Sequence, residues 1–158
     1  MKWTFIPELR FAAWGFAFNA LWEGLQTPLY ADRSGGALYL IRTRLHCATG
    51  DVLILLGCYW VIALLWRDRR WSATRRLAPR VLFVVLGVAY TIASELVHTR
   101  WLRSWGYAPE MPRVFGIGLG PLLQWLVVPS LLLLVLGNQP KKTFPTESGY
   151  SRPPLEKS

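Results

Sequence analysis

The sequence predicts an all-α membrane protein, a bundle of four transmembrane helices with both termini on the cytoplasmic side. Three observations support this class. The chain is 53% hydrophobic and 17% charged, which is too apolar for the surface of a soluble protein of 158 residues. Its apolar residues form long runs, as membrane-spanning helices require. Its basic residues gather in particular connections between those runs, a pattern that sets orientation in a membrane.

Four apolar segments are long enough to cross most or all of a ~30 Å hydrocarbon core, at about 1.5 Å per helical residue. The first begins after Pro7, and proline is common at helix starts. Because backbone groups inside lipid must be hydrogen-bonded, each segment is expected to be helical. The four form a predicted domain, residues 1–137, with spans at about residues 8–30, 50–66, 80–101 and 114–137.

The orientation follows from the connections. The segment from Trp66 to Arg80 carries six arginines and one aspartate, so it is expected on the cytoplasmic side. Both termini then lie on that side, and the first and third connections face outward. The remaining residues, 138–158, are rich in Pro, Ser and Lys and are predicted to form a disordered cytoplasmic tail. The Arg- and Trp-rich composition favours a multi-pass protein of the bacterial cytoplasmic (inner) membrane, with membrane lipids as partners.

The charge pattern argues against nucleic-acid binding, and the cysteine spacing argues against a disulfide. The net charge of +9 does not indicate nucleic-acid binding, because the arginines sit between apolar runs, where membrane topology accounts for them. Cys47 and Cys58 would lie roughly 16 Å apart on one helix, well beyond the ~7 Å limit for a disulfide. They are therefore interpreted as free thiols.

Polar side chains interrupt all four segments. They are Asn19, Glu23, Gln26 and Tyr30 in the first, His46, Cys47 and Asp51 at the start of the second, Thr91, Ser94, Glu95 and His98 in the third, and Gln124 in the fourth. In the first and third segments, the spacing of three or four residues places them on one helix face.

The orientation places all of these groups at a similar depth in the outer half of the membrane. An acidic residue at a helix centre opposes insertion by about 2.5–3.5 kcal/mol, so such residues usually face a bundle interior or a wet cavity. The sequence therefore predicts a polar pocket that opens outward, lined by Glu23, Gln26, His46, Asp51, Glu95, His98 and Gln124.

The first functional hypothesis is acid/base chemistry on a lipid or isoprenoid-like substrate. Two carboxyl groups in a poorly hydrated site can be held in different protonation states, which makes Glu23 and Glu95 the predicted catalytic pair. Histidines can relay protons, and His98 and His46 are assigned that role. The predicted substrate-binding residues, which would orient the substrate or line an apolar wall, are Gln26, Gln124, Trp22, Trp101, Trp125 and Arg100.

The second hypothesis is a cation-transport or metal-handling protein. Glu95 and His98 have the i, i+3 spacing that carboxylate-rich metal sites use on one helix, and mixed nitrogen and oxygen ligands suit several divalent metals. The alternative metal ligands are His46, Asp51, Glu95 and His98. Because four helices are few for a conduit, this hypothesis implies a homo-oligomer or a larger membrane complex. No particular cofactor follows from the sequence.

The third hypothesis is a non-catalytic subunit whose polar groups only hold helices together. Under this hypothesis, individual polar residues have structural roles. Asp51 follows Thr49-Gly50 and is expected to cap the second helix, which would leave His46 in the loop above. Arg100 and Trp101 could belong to an interfacial belt of aromatic and basic residues.

Overall fold

The computed structural model describes residues 7–137, apart from the side chain of Arg33, so the predicted tail at 138–158 lies outside the described residues. The long helices are α1 (Pro7–Gln26), α2 (Ala37–Trp66), α3 (Leu77–Leu96) and α4 (Leu119–Gly137). A small hairpin of β1 (Arg113–Val114) and β2 (Ile117–Gly118) leads directly into α4. The predicted all-α class is confirmed.

Local backbone geometry marks the ends of the first three helices. Pro28, which has no backbone N–H, lies in a 3-10 turn that follows α1 at Thr27–Leu29. α2 ends at Trp66 and is capped by Arg67, which is in the left-handed region (φ 52°); the N–H of Asp68 donates to the carbonyl of Ala63 at 3.0 Å, as in a Schellman cap. Beyond α3, the helix continues as a π-helical turn at Val97–Trp101.

Three segments among residues 7–137 are long and apolar enough to cross a membrane. They are Ala37–Trp66, Leu77–Trp101 and Leu119–Gly137, and they overlap the second, third and fourth predicted spans. α1 is also a helix of 20 residues, but Glu8, Arg10 and Glu23 make it more polar, and it is not one of the three.

The start of α2 differs most from the prediction. The apolar run indicated a start near residue 50, but the helix begins at Ala37, after Gly36. Asp51 is therefore not a helix cap, and His46 is not in a loop; both lie within α2. Arg42, Arg44 and His46 lower the hydropathy of the first turns, but basic side chains do not prevent helix formation.

The other helix ends are also shifted. The first predicted span extended to residue 30, but α1 ends at Gln26. The fourth was expected from Val114, but that residue belongs to β1, and α4 begins at Leu119. Apolar composition continues through both regions, so it does not mark where the helical backbone starts or stops.

The helices form a ring in which each packs against two neighbours, in the order α1, α2, α3, α4 and back to α1. The end next to the arginine-rich connection has an aromatic core. The rings of Phe11 and Tyr59 are 4.8 Å apart, and those of Trp71 and Phe83 are 5.3 Å apart. The Trp71 indole donates a hydrogen bond to the carbonyl of Tyr59 at 3.1 Å. The polar side chains collect towards the other end.

A close contact between α3 and α4 sets the rotation of α4. Trp125 is buried and lies over Gly87, where an added Cβ would be 2.4 Å from the ring atom Cε3. A larger residue at Gly87 would therefore displace the ring. Because neighbouring helical residues point about 100° apart, a Trp125 that faces α3 leaves Gln124 directed towards α1 and α2.

Candidate functional site

Gln124 joins three helices in the interior of the bundle. Its Nε2 donates to Oδ1 of Asn19 on α1 at 2.9 Å and to Oδ2 of Asp51 on α2 at 2.8 Å. Its Oε1 accepts from Nε2 of Gln26 at 3.2 Å. The side chain is buried, so these partners replace the water that its amide would otherwise bind.

Glu23 lies beside this amide and has a cationic partner. Nε2 of Gln26 donates to its Oε1 at 2.7 Å, and Nη1 of Arg44 is 3.7 Å from its Oε2. Nη2 of Arg44 also contacts Oδ1 of Asp32 at 2.5 Å, and its guanidinium lies 5.2 Å from the centre of the Tyr30 ring. Glu23 and Arg44 are almost fully enclosed, since their side chains are 6% and 11% exposed.

Glu95 is held by a different set of groups, on the loop after α3. The Tyr107 hydroxyl donates to its Oε2, and the Trp105 indole approaches the same oxygen at 3.4 Å. Both donors are neutral. Glu95 is buried on α3, but Tyr107 is only partly buried. The loop after α3 therefore covers the Glu95 carboxylate at the end of that helix.

Backbone hydrogen bonds tie this loop to the connection between α1 and α2. The N–H of Ala31 donates to the carbonyl of Gly106 at 3.0 Å, and that of Ala108 to the carbonyl of Leu29 at 2.9 Å. Tyr30 and Tyr107 face each other across this bridge, with ring centres 6.0 Å apart. The connection at residues 27–36 and the loop at residues 102–112 together cover the polar end of the bundle, and we call them the roof.

Buried carboxylates influence the two tyrosines of the roof. Burial raises the pKa of Tyr30, and the nearby negative charges of Glu95 and Glu23 raise it further. Burial, together with the hydrogen bond to Glu95, likewise raises the pKa of Tyr107. Both phenols are therefore neutral at physiological pH, and Tyr107 remains a hydrogen-bond donor.

The structure brings together most of the predicted polar residues, but not all of the predicted site. Glu23, Gln26, Asp51 and Gln124 form one network, and the Trp22 indole joins it by donating to Oε1 of Gln26 at 3.0 Å. Trp125 follows Gln124 in the chain, but its ring packs on α3.

Five other predicted residues lie outside this network, and one of them is Glu95, whose side-chain partners are Tyr107 and Trp105. His46 is exposed, on a groove with Leu38, Tyr39, Arg42 and Thr43. Trp101 is 81% exposed. Arg100 donates to the carbonyl of Phe115 at 3.1 Å. His98 is partly buried, and its ring is stacked 4.1 Å from that of Trp105.

The alternative metal ligands are not gathered into a centre. Within residues 7–137, no group of three or more His, Cys, Asp or Glu side chains is placed to hold a metal ion. Asp51 is hydrogen-bonded to Gln124, whereas His98 Nδ1 lies 3.2 Å from Oγ of Ser104. Glu95 lies at the end of α3 and His98 in the π-helical turn that follows, and the other candidate ligands do not join this pair.

Sequence reasoning missed three important members of the site. They are Arg44, Asp32 and Tyr107, none of which was among the predicted site residues. One signal was available for Arg44, because it lies seven residues before Asp51 and therefore on the same face of a helix that includes both. Nothing local to Tyr107 indicates that its hydroxyl reaches back to Glu95.

The fold and the site define an α-helical protein with three membrane-length helices and a buried, hydrogen-bonded polar cluster at one end of the bundle. No protein family matches the chain, and neither a curated protein nor a solved structure shows significant similarity to it.

Proposed function

We propose that α1 is a fourth membrane span and that both termini are cytoplasmic, in the bacterial inner membrane. At about 1.5 Å per residue, 20 residues measure close to the ~30 Å hydrocarbon core. α1 also turns large apolar side chains outward, including Trp14, Leu21 and Leu25. Its polar residues Asn19, Glu23 and Gln26 are buried against the other helices, which is where a membrane helix tolerates them.

Thiol labelling of intact cells tests this topology. In a chain with Cys47 and Cys58 replaced by alanine, Pro109→Cys in the outer loop should react with an impermeant maleimide. Arg70→Cys, in the arginine-rich connection, should react only after the membrane is permeabilised. Both positions are exposed in the folded protein, so burial does not account for a difference. The reverse pattern would contradict the orientation.

We propose that the polar end is an active site for acid/base chemistry on a lipid or isoprenoid-like substrate. The observation that supports it is the unequal environment of two buried carboxyl groups. The cation Arg44 lies beside Glu23, whereas the groups that donate hydrogen bonds to Glu95, Tyr107 and Trp105, are neutral. Such pairs suit a division of labour between base and acid.

The remaining residues have supporting roles in this proposal. Gln26 and Gln124 are amides that can orient a polar substrate group, and Trp22 supplies apolar surface beside Gln26, whereas Trp125 packs on α3 away from the cluster. His98 follows Glu95 by one turn and is partly exposed, so it can pass protons between the site and water. His46 stands apart from the cluster and has no role in it.

Lipid analysis of cells that express the protein tests the enzymatic proposal. Wild-type protein should change the mass spectrum of the membrane lipids relative to an empty vector, and Glu95→Gln should abolish that change while keeping the size of the side chain. Glu8→Gln is the matched control, because Glu8 pairs with Arg69 at the other end of the bundle. A Glu95→Gln chain that is folded, abundant and still active would refute the assignment.

A non-catalytic subunit of a membrane complex is the second candidate. It is favoured by the hydrogen bonding of the two buried amides, because both Gln26 and Gln124 use the two ends of their amides in hydrogen bonds between side chains. A packing cluster predicts that Glu95→Gln lowers stability without a change in any lipid. Co-purification of a partner chain would then identify the complex.

A further inference from the structure

The hairpin before α4 presents an exposed aromatic side chain in a strained backbone position. Phe115 is 93% exposed, and neighbouring Val114 is 44% exposed. Phe115 and Gly116 form the turn, with φ values of 53° and 84°. Hairpin turns with two positive φ angles favour Asn and Gly, and a bulky residue at the first position is strained. The rest of residues 7–137 leaves this aromatic ring almost uncovered, which suits contact with an apolar phase outside the protein.

The length of α4 indicates which phase this is. Its 19 residues measure about 28 Å, close to the thickness of the hydrocarbon core. If α4 crosses the membrane, Leu119 lies near the hydrocarbon boundary, and the hairpin just before it lies in the headgroup layer. Trp101, at the end of the membrane-length segment Leu77–Trp101, is exposed at the corresponding end of its helix.

The charges around the hairpin match a lipid surface. Arg100, Arg103 and Arg113 are exposed, and Glu110 is the acidic residue of this stretch. Nη2 of Arg100 donates to the carbonyl of Phe115 and so fixes the turn to the end of the α3 segment. Guanidinium groups bind phosphate oxygens strongly, and arginine stems lie along apolar surface with the charged group at the interface.

We propose that the hairpin is an interfacial anchor in the non-cytoplasmic leaflet: Phe115 inserts below the headgroups, and the three arginines bind phosphates of anionic lipids. The anchor rests on the proposed membrane placement and is independent of acid/base chemistry. The same loop carries Tyr107 to Glu95. The anchor therefore holds the roof of the polar cluster at a fixed depth in the membrane.

Spin-label accessibility of the full chain in nanodiscs tests the anchor. In a background with Cys47 and Cys58 replaced by alanine, a nitroxide at Phe115→Cys should collide more often with oxygen than with a water-soluble nickel chelate. Leu53→Cys, on an exposed face in the middle of α2, and Arg70→Cys give the membrane and water references. Protection of Phe115→Cys should increase when phosphatidylglycerol is added to phosphatidylcholine. Val114→Cys should behave alike without altering the strained position.

Each other outcome has a distinct meaning. The anchor is wrong if the labels at both hairpin positions collide with the nickel chelate as often as the label at Arg70→Cys does, while the label at Leu53→Cys is protected. Water access at Leu53→Cys would show that the membrane placement itself is wrong. Protection of the hairpin in native membranes but not in nanodiscs would assign the surface to a protein partner instead. If the depth of the labels does not change when phosphatidylglycerol is added, the arginines do not bind anionic lipids as proposed.

Discussion

Replacing Arg44 with methionine is expected to lower the free energy of unfolding by about 3–5 kcal/mol, the usual cost of removing one partner of a buried ion pair. Arg44 lies between Glu23 and Asp32 with its side chain 11% exposed. Methionine keeps much of the apolar stem but removes the charge, so Glu23 would remain enclosed without its cation. Unfolding by SDS in detergent micelles, followed by circular dichroism, measures the loss.

Two further variants separate this effect from a general loss of charge. Arg42→Met makes the same chemical change two residues earlier, at an exposed position on the same helix, and should cost less than about 0.5 kcal/mol. Adding Glu23→Gln to Arg44→Met removes the unpaired carboxylate and should restore part of the lost stability. If Arg44→Met is no more harmful than Arg42→Met, the ion pair does not stabilise the fold.

The sequence predicted correctly what depends on helical periodicity. The apolar runs mark the interior of α2, α3 and α4, because membrane-length hydrophobicity is a property of a continuous segment. The spacing of Asn19, Glu23 and Gln26 placed these three residues on one side of α1, and all three are buried there. Such patterns need only the geometry of one helix, so they can be identified without knowledge of the tertiary structure.

The pattern of apolar runs did not predict where the helices begin and end. Hydropathy falls at Arg42 and Arg44, yet the helix continues through both residues. Helix formation depends on backbone hydrogen bonds and local propensity, and Arg is a good helix former. By starting the helix at residue 50, the prediction separated Arg44 from Asp51 and lost the face that they share.

The roof could not be predicted, because it depends on contacts between distant loops. Tyr107 reaches Glu95 only after the chain has turned back through residues 102–106, and that path is fixed by backbone pairing with Leu29 and Ala31. Nothing in the local sequence of either connection encodes the other. The sequence therefore predicted the carboxylates, but not the groups that hold Glu95 or the cation beside Glu23.

Substituting leucine for Gln124 is expected to be the second most damaging change to the bundle, with a loss of about 3 kcal/mol. Hydrogen bonds between membrane helices average only about 0.6 kcal/mol each. The larger expectation comes from the groups left behind, because an enclosed polar group without its partner costs about 1–3 kcal/mol and a charged one more. Asp51 would lose the amide that donates to its Oδ2, and Asn19 the donor to its Oδ1.

A second substitution separates two causes of the lost stability: the loss of the hydrogen bonds that Gln124 makes, and the cost of leaving its former partners buried without a donor. If Asp51 without a donor causes most of the loss, the double variant Asp51→Leu/Gln124→Leu should be more stable than Gln124→Leu alone, since removing both partners avoids the desolvation cost. Leu123→Ala, at a partly exposed neighbour on α4, controls for general disturbance of the helix. SDS unfolding compares all four chains. A double variant that is less stable than Gln124→Leu would mean that Asp51 has another stabilising partner, and that Gln124 does not organise the cluster.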